Sequence, residues 1–575
     1  MNSQPLPSDI LLHIFHAAAA NEPPRFMHVP HLKNPGVRKA LGLPDETRSN
    51  RLGWVRLGHV DHQWRNTLLG AQNLWADHIG LLPAGAEEML DRAGATALLT
   101  LHLPIGPSSS PDVQNLTRVL QGHKDTIRAR LQAVFIWDPR PFRDTVPQRP
   151  PPHGNDDTDG YEIATLMAST SVLSEDQSHD LFPFNMLRSV LLRHAVRTLK
   201  VLDLSRPASP SGEFSIIAPE LRHLRLENYA ISCPQSTQLV TLSLVRTKRR
   251  RHWNMQPRMS LEAALDLLQQ SAASLQHVEL SNVFVDTQTP QLLFAVFHAP
   301  VEREPPRPRT VDLPVLRTIT LRDSAEDIAD LLHCLHYSQS VTTCLNPHSS
   351  PFDTDQTTLP LPISAALAKY GECHLAGLRV QEDIERRGSI DVFALPEGDT
   401  TRAHSCAWYQ TRSPMIRVLV DFSPHRSDAI AVAKRVANEL SVSGIDIKEL
   451  ALNLRSSIAQ DKVLEMLTCA PNARNVCLET HSMAFSSIAY ALRQYISESG
   501  SRQPYKSICL IAGADPTAIT NLALMSIAFG QSRADKISLH VDERFKAMPG
   551  REKVHGYLTE LEGVFQEVIL RHCRI

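Results

Sequence analysis

What the 575-residue chain has little of narrows its class first. Glycine is scarce, at 24 residues. It forms no phosphate-cradling motif of the P-loop or dinucleotide type. There is no Gly-x-Ser-x-Gly elbow and no His-Glu-x-x-His pair, so two common hydrolytic devices are excluded. Neither charge sign is in excess: Lys and Arg number 59, Asp and Glu 61. No global field therefore favours nucleic acid or an anionic membrane as partner. No apolar run reaches the roughly 18 residues of a membrane span. The short run Ile10–Ala20 is interrupted by His13 and His16, follows no Lys or Arg, and adjoins Asp9. It is not read as a signal peptide. The nine cysteines are odd in number and show no framework spacing, which predicts free thiols in a reducing, cytoplasmic or nuclear compartment. Histidine is plentiful at 26, yet its densest cluster, His333-Cys334-Leu335-His336, has no second ligand pair at useful spacing. Cys373-His374 and His572-Cys573 are isolated pairs. No metal and no cofactor is expected.

What is present begins near the start of the chain. After Leu6-Pro7, the residues Ile10, Leu11, Ile14, Phe15 and Ala18 recur at helical spacing and predict a short amphipathic helix. Leu57, Val60, Trp64 and Leu68 form a second stripe, at steps of three, four and four. Leu74-Trp75 marks a third short segment, and Leu81-Leu82-Pro83 ends the unit. Three short helices with this much Leu, Ile, Phe and Trp carry more apolar surface than so small a unit hides. A larger domain or a partner must cover it.

The motif order Leu-Pro-x-Asp-Ile-Leu-x-x-Ile-Phe, then Leu-x-His-Val-x-x-x-Trp-Arg, then Leu-Trp-Ala resembles the F-box, most closely that of mushroom-type fungal proteins. The resemblance covers about residues 5–83, with an echo in Asp91-Arg92-Ala93-Gly94. It implies a module that docks a Skp-type adaptor and thereby joins a cullin-RING ubiquitin ligase. The docking residues it implies are Leu6, Pro7, Ile10, Leu11, Ile14, Phe15, Val60, Trp64, Leu74 and Trp75. Some of these must hold the helices together instead, Trp64 and Val60 first among them. The sequence departs from the family pattern twice. Residues 21–51 form an insertion between the first two helices, tolerable because loop-closure entropy grows only logarithmically with length. Asp61 stands where the family often has Cys.

From about residue 94 the texture changes. A pattern of apolar-x-x-apolar-x-apolar recurs, with copies that start at Leu131, Leu199, Leu221, Leu239, Leu275, Leu316, Leu375, Met415, Ile447, Ala473, Tyr505 and Ala534. In most copies the last two apolar positions alternate with a polar one, as on a half-buried strand. Helical periodicity fills many intervals, as at residues 260–275, 325–335, 427–440, 462–469 and 484–496. Strand then helix, repeated, resembles a leucine-rich-repeat solenoid with strands on the concave face and helices outside. The residue three beyond each last apolar position is neither Asn nor Cys (Tyr229, Ser324, Arg455 and Asp542 are instances), so the usual Asn ladder is missing. An irregular α/β array over 94–575, behind an F-box-like module over 1–93, is the expected organisation. A compact α/β domain with incidental Leu-x-Leu strands is the competing reading.

Proline-rich or charged stretches at about 138–160, 246–258, 301–314 and 346–362 read as exposed loops. One of them holds Arg246, Lys248, Arg249, Arg250, Arg251 and Arg258 with Trp253 and no acid, either a nuclear-import signal or a solvated loop. The expected function is a non-enzymatic adaptor whose array binds a protein target, with no nucleic acid and no membrane. Arg225, Glu279 and Thr320, on the open face of predicted strands, share no chemistry that names the target. The alternatives are a ligase-independent repeat scaffold with a drifted F-box and, third, an enzyme.

Overall fold

A computed structural model describes residues 6–21, 48–104, 106–107, 111–137, 181–182, 195–204, 213–215, 217–227, 230–232, 238–246, 259–284, 309–347, 363–367, 375–382, 387–394, 414–421, 429–454, 459–479, 485–498, 505–511, 517–529, 534–542, 544–545 and 551–571. The fold is α/β, with mostly parallel strands and interleaved helices, and the chain divides into two compact units, Met1–Met259 and Ser260–Ile575.

In the first unit, α1 (Ser8–Asn21), a 3-10 segment (Arg48–His59), α2 (His62–Gly70), α3 (Gln72–Ala76) and α4 (Ala86–Arg92) precede the strands. β1 (Leu99–Pro104) follows, then α5 (Pro111–Gly122) and α6 (Lys124–Arg130). β2 (Leu131–Trp137), β3 (Val201–Leu204), β4 (His223–Glu227) and β5 (Thr241–Val245) continue its main ladder, beside two short two-stranded pairs, Gly106–Pro107 with Leu181–Phe182 and Glu213–Ser215 with Ala230–Ser232. The five strands pair in chain order, all parallel. Leu202, Leu224 and Leu242 align across β3, β4 and β5, as do Leu204, Leu226 and Leu244, and all six are buried. On β4 the intervening Arg225 is exposed, so one face of this strand packs and the other is open.

The helices before β1 do not stand apart from this sheet. Ile79 bridges Leu101 of β1, and His102 N–H donates to Ile79 O at 2.8 Å. Arg130, at the end of α6, is buried and donates to the carbonyls of Ala97 and Ala93. Asn115 of α5 donates to Pro83 O.

The second unit opens with α7 (Leu261–Gln270), β6 (His277–Ser281), β7 (Thr318–Arg322), α8 (Ala325–Cys334), β8 (Thr342–Leu345) and α9 (Ile363–Leu367). A run of three strands comes next: β9 (Leu375–Glu382), β10 (Arg387–Ala394) and β11 (Ile416–Asp421). Then strand and helix alternate: α10 (Ala429–Val442), β12 (Asp446–Asn453), α11 (Gln460–Thr468), β13 (Asn475–Glu479), α12 (Phe485–Glu498), β14 (Ser507–Ile511), α13 (Thr517–Phe529), β15 (Ala534–Asp542), α14 (Arg551–Glu562) and β16 (Phe565–Arg571). From β12 to β16 each strand lies beside the previous one in parallel, and each helix from α10 to α14 packs on the next. Parallel strands added in one direction by right-handed crossovers place their helices on one face.

The exception is the three-strand run. In space the order is β8-β11-β10-β9-β12, with β10 antiparallel to both neighbours. All twelve copies of the apolar motif named above fall on strands of the main ladders, and the same spacing recurs on β1 at Leu98, Leu101 and Leu103 and on β16 at Phe565, Val568 and Leu570. Ser260 and Ser324 cap α7 and α8, their side chains accepting from Ala263 N–H and Asp327 N–H. Both capping serines stand just ahead of the first apolar-periodic residues of their helices, where such a residue satisfies an otherwise orphaned donor.

Ser324 also shows what replaces the missing Asn ladder at one turn. Its neighbour Asp323 is buried and accepts from Phe284 N–H in the adjacent turn and from Ser324 N–H, both at 3.1 Å. Burial pushes the Asp323 carboxyl up to about 6. The protonated form is thus favoured on folding. Its contribution is full below about pH 4, where the unfolded chain also holds the proton, and is lost as pH rises through about 6. The loss is about 3 kcal/mol. Urea denaturation of Asp323→Asn should show stability flatter than wild type across this window; parallel curves would refute the assignment.

Some expectations need correction. Residues 301–314 do not form one exposed loop, because Val311–Leu313 is a short buried strand parallel to Leu335–Tyr337. Alternating Val311 and Leu313 point into the core while Asp312 stays out. Cys334, Cys344, Cys469 and Cys477 are free thiols, but Cys509 is disulfide-bonded, which corrects the all-thiol expectation. The stretches 138–160, 247–258 and 348–362, with Trp253 and most of the basic run, lie outside the described residues.

Candidate functional site

The predicted docking residues divide by burial. Leu11 and Phe15 of α1, with Leu74 and Trp75 of α3, are buried and form the interior of the helical module with Trp54 and Leu68. Phe15 meets Trp64 edge-on at 5.6 Å, and Trp54 meets Trp75 at 4.9 Å. The Trp75 indole N–H donates to Leu68 O at 2.8 Å, and the Arg92 guanidinium lies over its ring. Leu6, Pro7, Ile10 and Val60 are exposed, Ile10 to 47% and Val60 to 58%; Ile14 and Trp64 are half-buried.

This reverses two expectations. Phe15 does not share the outward face of Ile10, since it sits five residues on and turns inward to 0% exposure. Val60 is not a structural anchor. The stripe Leu57–Leu68 is split between two elements, because the 3-10 segment ends at His59 and α2 starts at His62. Asp61 makes that break. Its carboxylate accepts from Trp64 N–H at 2.8 Å, capping α2. Asp61 therefore has a local structural role as a helix cap. Gln63 Nε2 donates to Leu6 O at 2.6 Å, which lays the chain ahead of α1 against the start of α2, beside exposed Val60. Inserted residues 22–47 lie outside the described residues.

Sequence reasoning missed how this module meets β1. Trp54, His78, His102 and Phe135 form a continuous row of rings, with centroids 5.4, 6.2 and 5.4 Å apart. His78 Nδ1 donates to Leu74 O, and His102 Nε2 to Asp77 O. Desolvation lowers the pKa of His78 and brings that of His102 down to about 4, so both rings stay neutral at neutral pH. Gly94, in the echo noted above, has φ +66 after α4, and a Cβ there would press on the Gln72 amide. That glycine was visible in the sequence; the imidazole row was not.

In the second unit one face of the sheet carries a polar row, Glu279–Thr320–Cys344–Arg417–Asp391–Arg379, each residue directly opposite the next. Asp391 is fully buried between the two arginines. Arg379 Nε donates to it at 3.0 Å and Arg417 Nε at 2.7 Å. Burial raises the Cys344 thiol pKa, in spite of nearby Arg417.

The histidine cluster comes apart in space. His333 Nδ1 donates to Ala329 O, and His336 pairs with Asp312 on the short strands. Among the described residues, no group of three or more His, Cys, Asp or Glu is placed to hold a metal ion. Among them also, no helix is long and apolar enough to cross a membrane. No protein-family model matches the chain, and no curated protein sequence is significantly similar to it.

Proposed function

We propose that the chain is an F-box-type, substrate-recruiting subunit of a cullin-RING ubiquitin ligase. Its helical module docks a Skp-type adaptor. The strand-and-helix array is an irregular leucine-rich-repeat-like solenoid, strands concave and helices outside, that holds a protein target. The protein is not itself a catalyst. It works in the cytoplasm or nucleus by proximity, raising the effective concentration of target lysines at the ligase.

The observation that carries this reading is the outward apolar set Leu6, Ile10 and Val60, flanked by half-buried Ile14 and Trp64. The module interior is already filled by Leu11, Phe15, Trp54, Leu74 and Trp75, so these outer side chains are not needed to close it. An apolar set of this kind on a polar-rimmed surface marks a partner.

A purified Skp-type adaptor provides the test. Ile10→Glu with Val60→Glu should weaken capture by roughly thirtyfold or more, as for a well-buried interface anchor, while the melting temperature holds. Phe15→Ala should instead lower the melting temperature, because it empties a core site. If wild type shows no adaptor binding at micromolar concentration, the ligase reading fails and the ligase-independent scaffold replaces it. The insertion remains the motive for that alternative; Asp61, as a helix cap, no longer is one.

A further inference from the structure

Six of the motif copies named above carry a cation just after their first apolar residue: Lys200, Arg222, Arg317, Lys448, Arg474 and Lys506. The last three fall on consecutive strands of the second unit. They stand one residue ahead of Glu449, Asn475 and Ser507, which lie directly opposite one another on β12, β13 and β14. Arg474 N–H donates to Lys448 O and Lys506 N–H to Arg474 O, both at 2.7 Å, so the three backbones step across the sheet in register. Neighbouring strands lie about 4.8 Å apart, and like charges set side by side on them are destabilising. Lys448 and Arg474 are half-buried, and Lys506 is exposed. Lys448 is paired: its Nζ lies 2.5 Å from Asp446, which also accepts from Asn472 and whose field reaches Arg474. Glu449 is buried one residue further along β12 and accepts from Asn475 Nδ2. Among the described residues, the Arg474 and Lys506 side chains enter no hydrogen bond or ion pair.

We infer that this edge, where β12, β13 and β14 begin, takes an acidic, extended segment of the protein target. The inference rests on the proposal that the array holds a protein, and not on the docking of an adaptor. A run of carboxylates laid across the three strands relieves the repulsion that the free chain carries there. Extended chain advances about 3.3 Å per residue, so three or four acidic residues span the two steps of the ladder. A nucleic acid fits less well. β12, β13 and β14 hold no aromatic residue on which a base could stack. Asp446 also stands within the ladder, where a phosphate backbone would have to run.

Fluorescence anisotropy of a labelled polyglutamate peptide with the full chain tests this. Wild type should bind the peptide at micromolar concentration, more weakly as salt rises, and should not bind polylysine. Arg474→Glu with Lys506→Glu should weaken binding by roughly tenfold or more while the melting temperature holds. Arg474→Lys with Lys506→Arg keeps both charges and should bind as wild type does. If the double reversal folds poorly by circular dichroism, Lys506→Glu alone, at the exposed position, should still weaken binding roughly threefold. A wild-type chain that does not bind polyglutamate overturns the proposal, as does a folded reversal variant that binds like wild type. Tighter binding of single-stranded oligothymidine than of polyglutamate overturns it in favour of a nucleic acid. A fall in melting temperature on reversal, with no peptide bound by wild type, would assign the cations to the C-terminal ends of neighbouring helices and overturn it too. Adaptor capture should be unchanged by these substitutions, so a failure here leaves the adaptor-docking reading standing.

Discussion

Gly80→Ala should destabilise the first unit by about 4 kcal/mol or more, among the larger effects a single residue has. Gly80 follows the Ile79–Leu101 bridge with φ +93, a conformation that side-chain-bearing residues rarely adopt. A Cβ at this position would stand 2.1 Å from His102 O. That neighbour is backbone, so no rotamer change relieves the clash. Either Gly80 or β1 must shift, and the hydrogen bond from His102 N–H to Ile79 O breaks first. The His102 ring, stacked between His78 and Phe135, moves with its backbone. The helical module and the sheet edge are therefore expected to loosen together. Tryptophan fluorescence during urea unfolding reads this directly, since Trp54, Trp64, Trp75 and Trp137 all lie in the first unit. Gly122→Ala, with open space around its Cβ, is the control and should leave the midpoint in place. An equal response from the two variants would rule out the clash as the cause.

The parts of this fold that were legible are those fixed by local periodicity. Leu-x-Leu spacing located strands because alternate side chains must enter one core, and residues such as Leu224 and Leu226 do so with Arg225 outside. Helices announced themselves by capping serines and 3.6-residue stripes; α7, α8, α10, α11 and α12 begin and end within a few residues of the expected bounds. Burial within the helical module was less legible. Ile10, Leu11, Ile14 and Phe15 fit one apolar stripe, and periodicity alone does not say which edge of that stripe a neighbouring helix covers. Trp54 and Trp75 fill the centre, so Phe15 turns inward and Ile10 is left outside.

Strand order was illegible for a different reason. The motif copies at Leu375 and Met415 look like any others, yet the antiparallel β10 between them bears no copy and reverses the local order. A hairpin and a crossover share one hydrophobic pattern; only chain length and pairing tell them apart. The imidazole row escaped for a related reason. His78 and His102 are 24 positions apart, and nothing short-range in their surroundings distinguishes them from surface histidines.

Asp391→Ala should cost the second unit about 3 kcal/mol or more, and its coupling to the arginines should identify what holds the reversed strands. Asp391 has no exposed surface and lies directly opposite Arg379 on β9 and Arg417 on β11. Arg379 donates to it through two nitrogens and lies 5.4 Å over the Phe393 ring. Arg417 reaches it from the other side through Nε. Removing the carboxylate leaves two partly buried cations facing each other with their shared acceptor gone. The same geometry fixes register. A two-residue slip between β9 and β10 would keep every side chain on its face, so hydrophobic burial alone does not forbid it. It would, however, set Asp391 opposite Gly377 or Gln381 and Arg379 opposite Ser389 or Phe393. The ion triad penalises that slip where the apolar pattern does not. Arg417→Met alone should cost less, about 1 kcal/mol, because Arg379 still satisfies the carboxylate. In the Asp391→Ala background the same change should be neutral or stabilising, since it removes an uncompensated charge. Guanidinium denaturation of the four proteins gives the coupling, and amide exchange on β9–β11 should accelerate with Asp391→Ala. Additive effects, or exchange confined to other strands, would show that packing alone sets the order of these three strands.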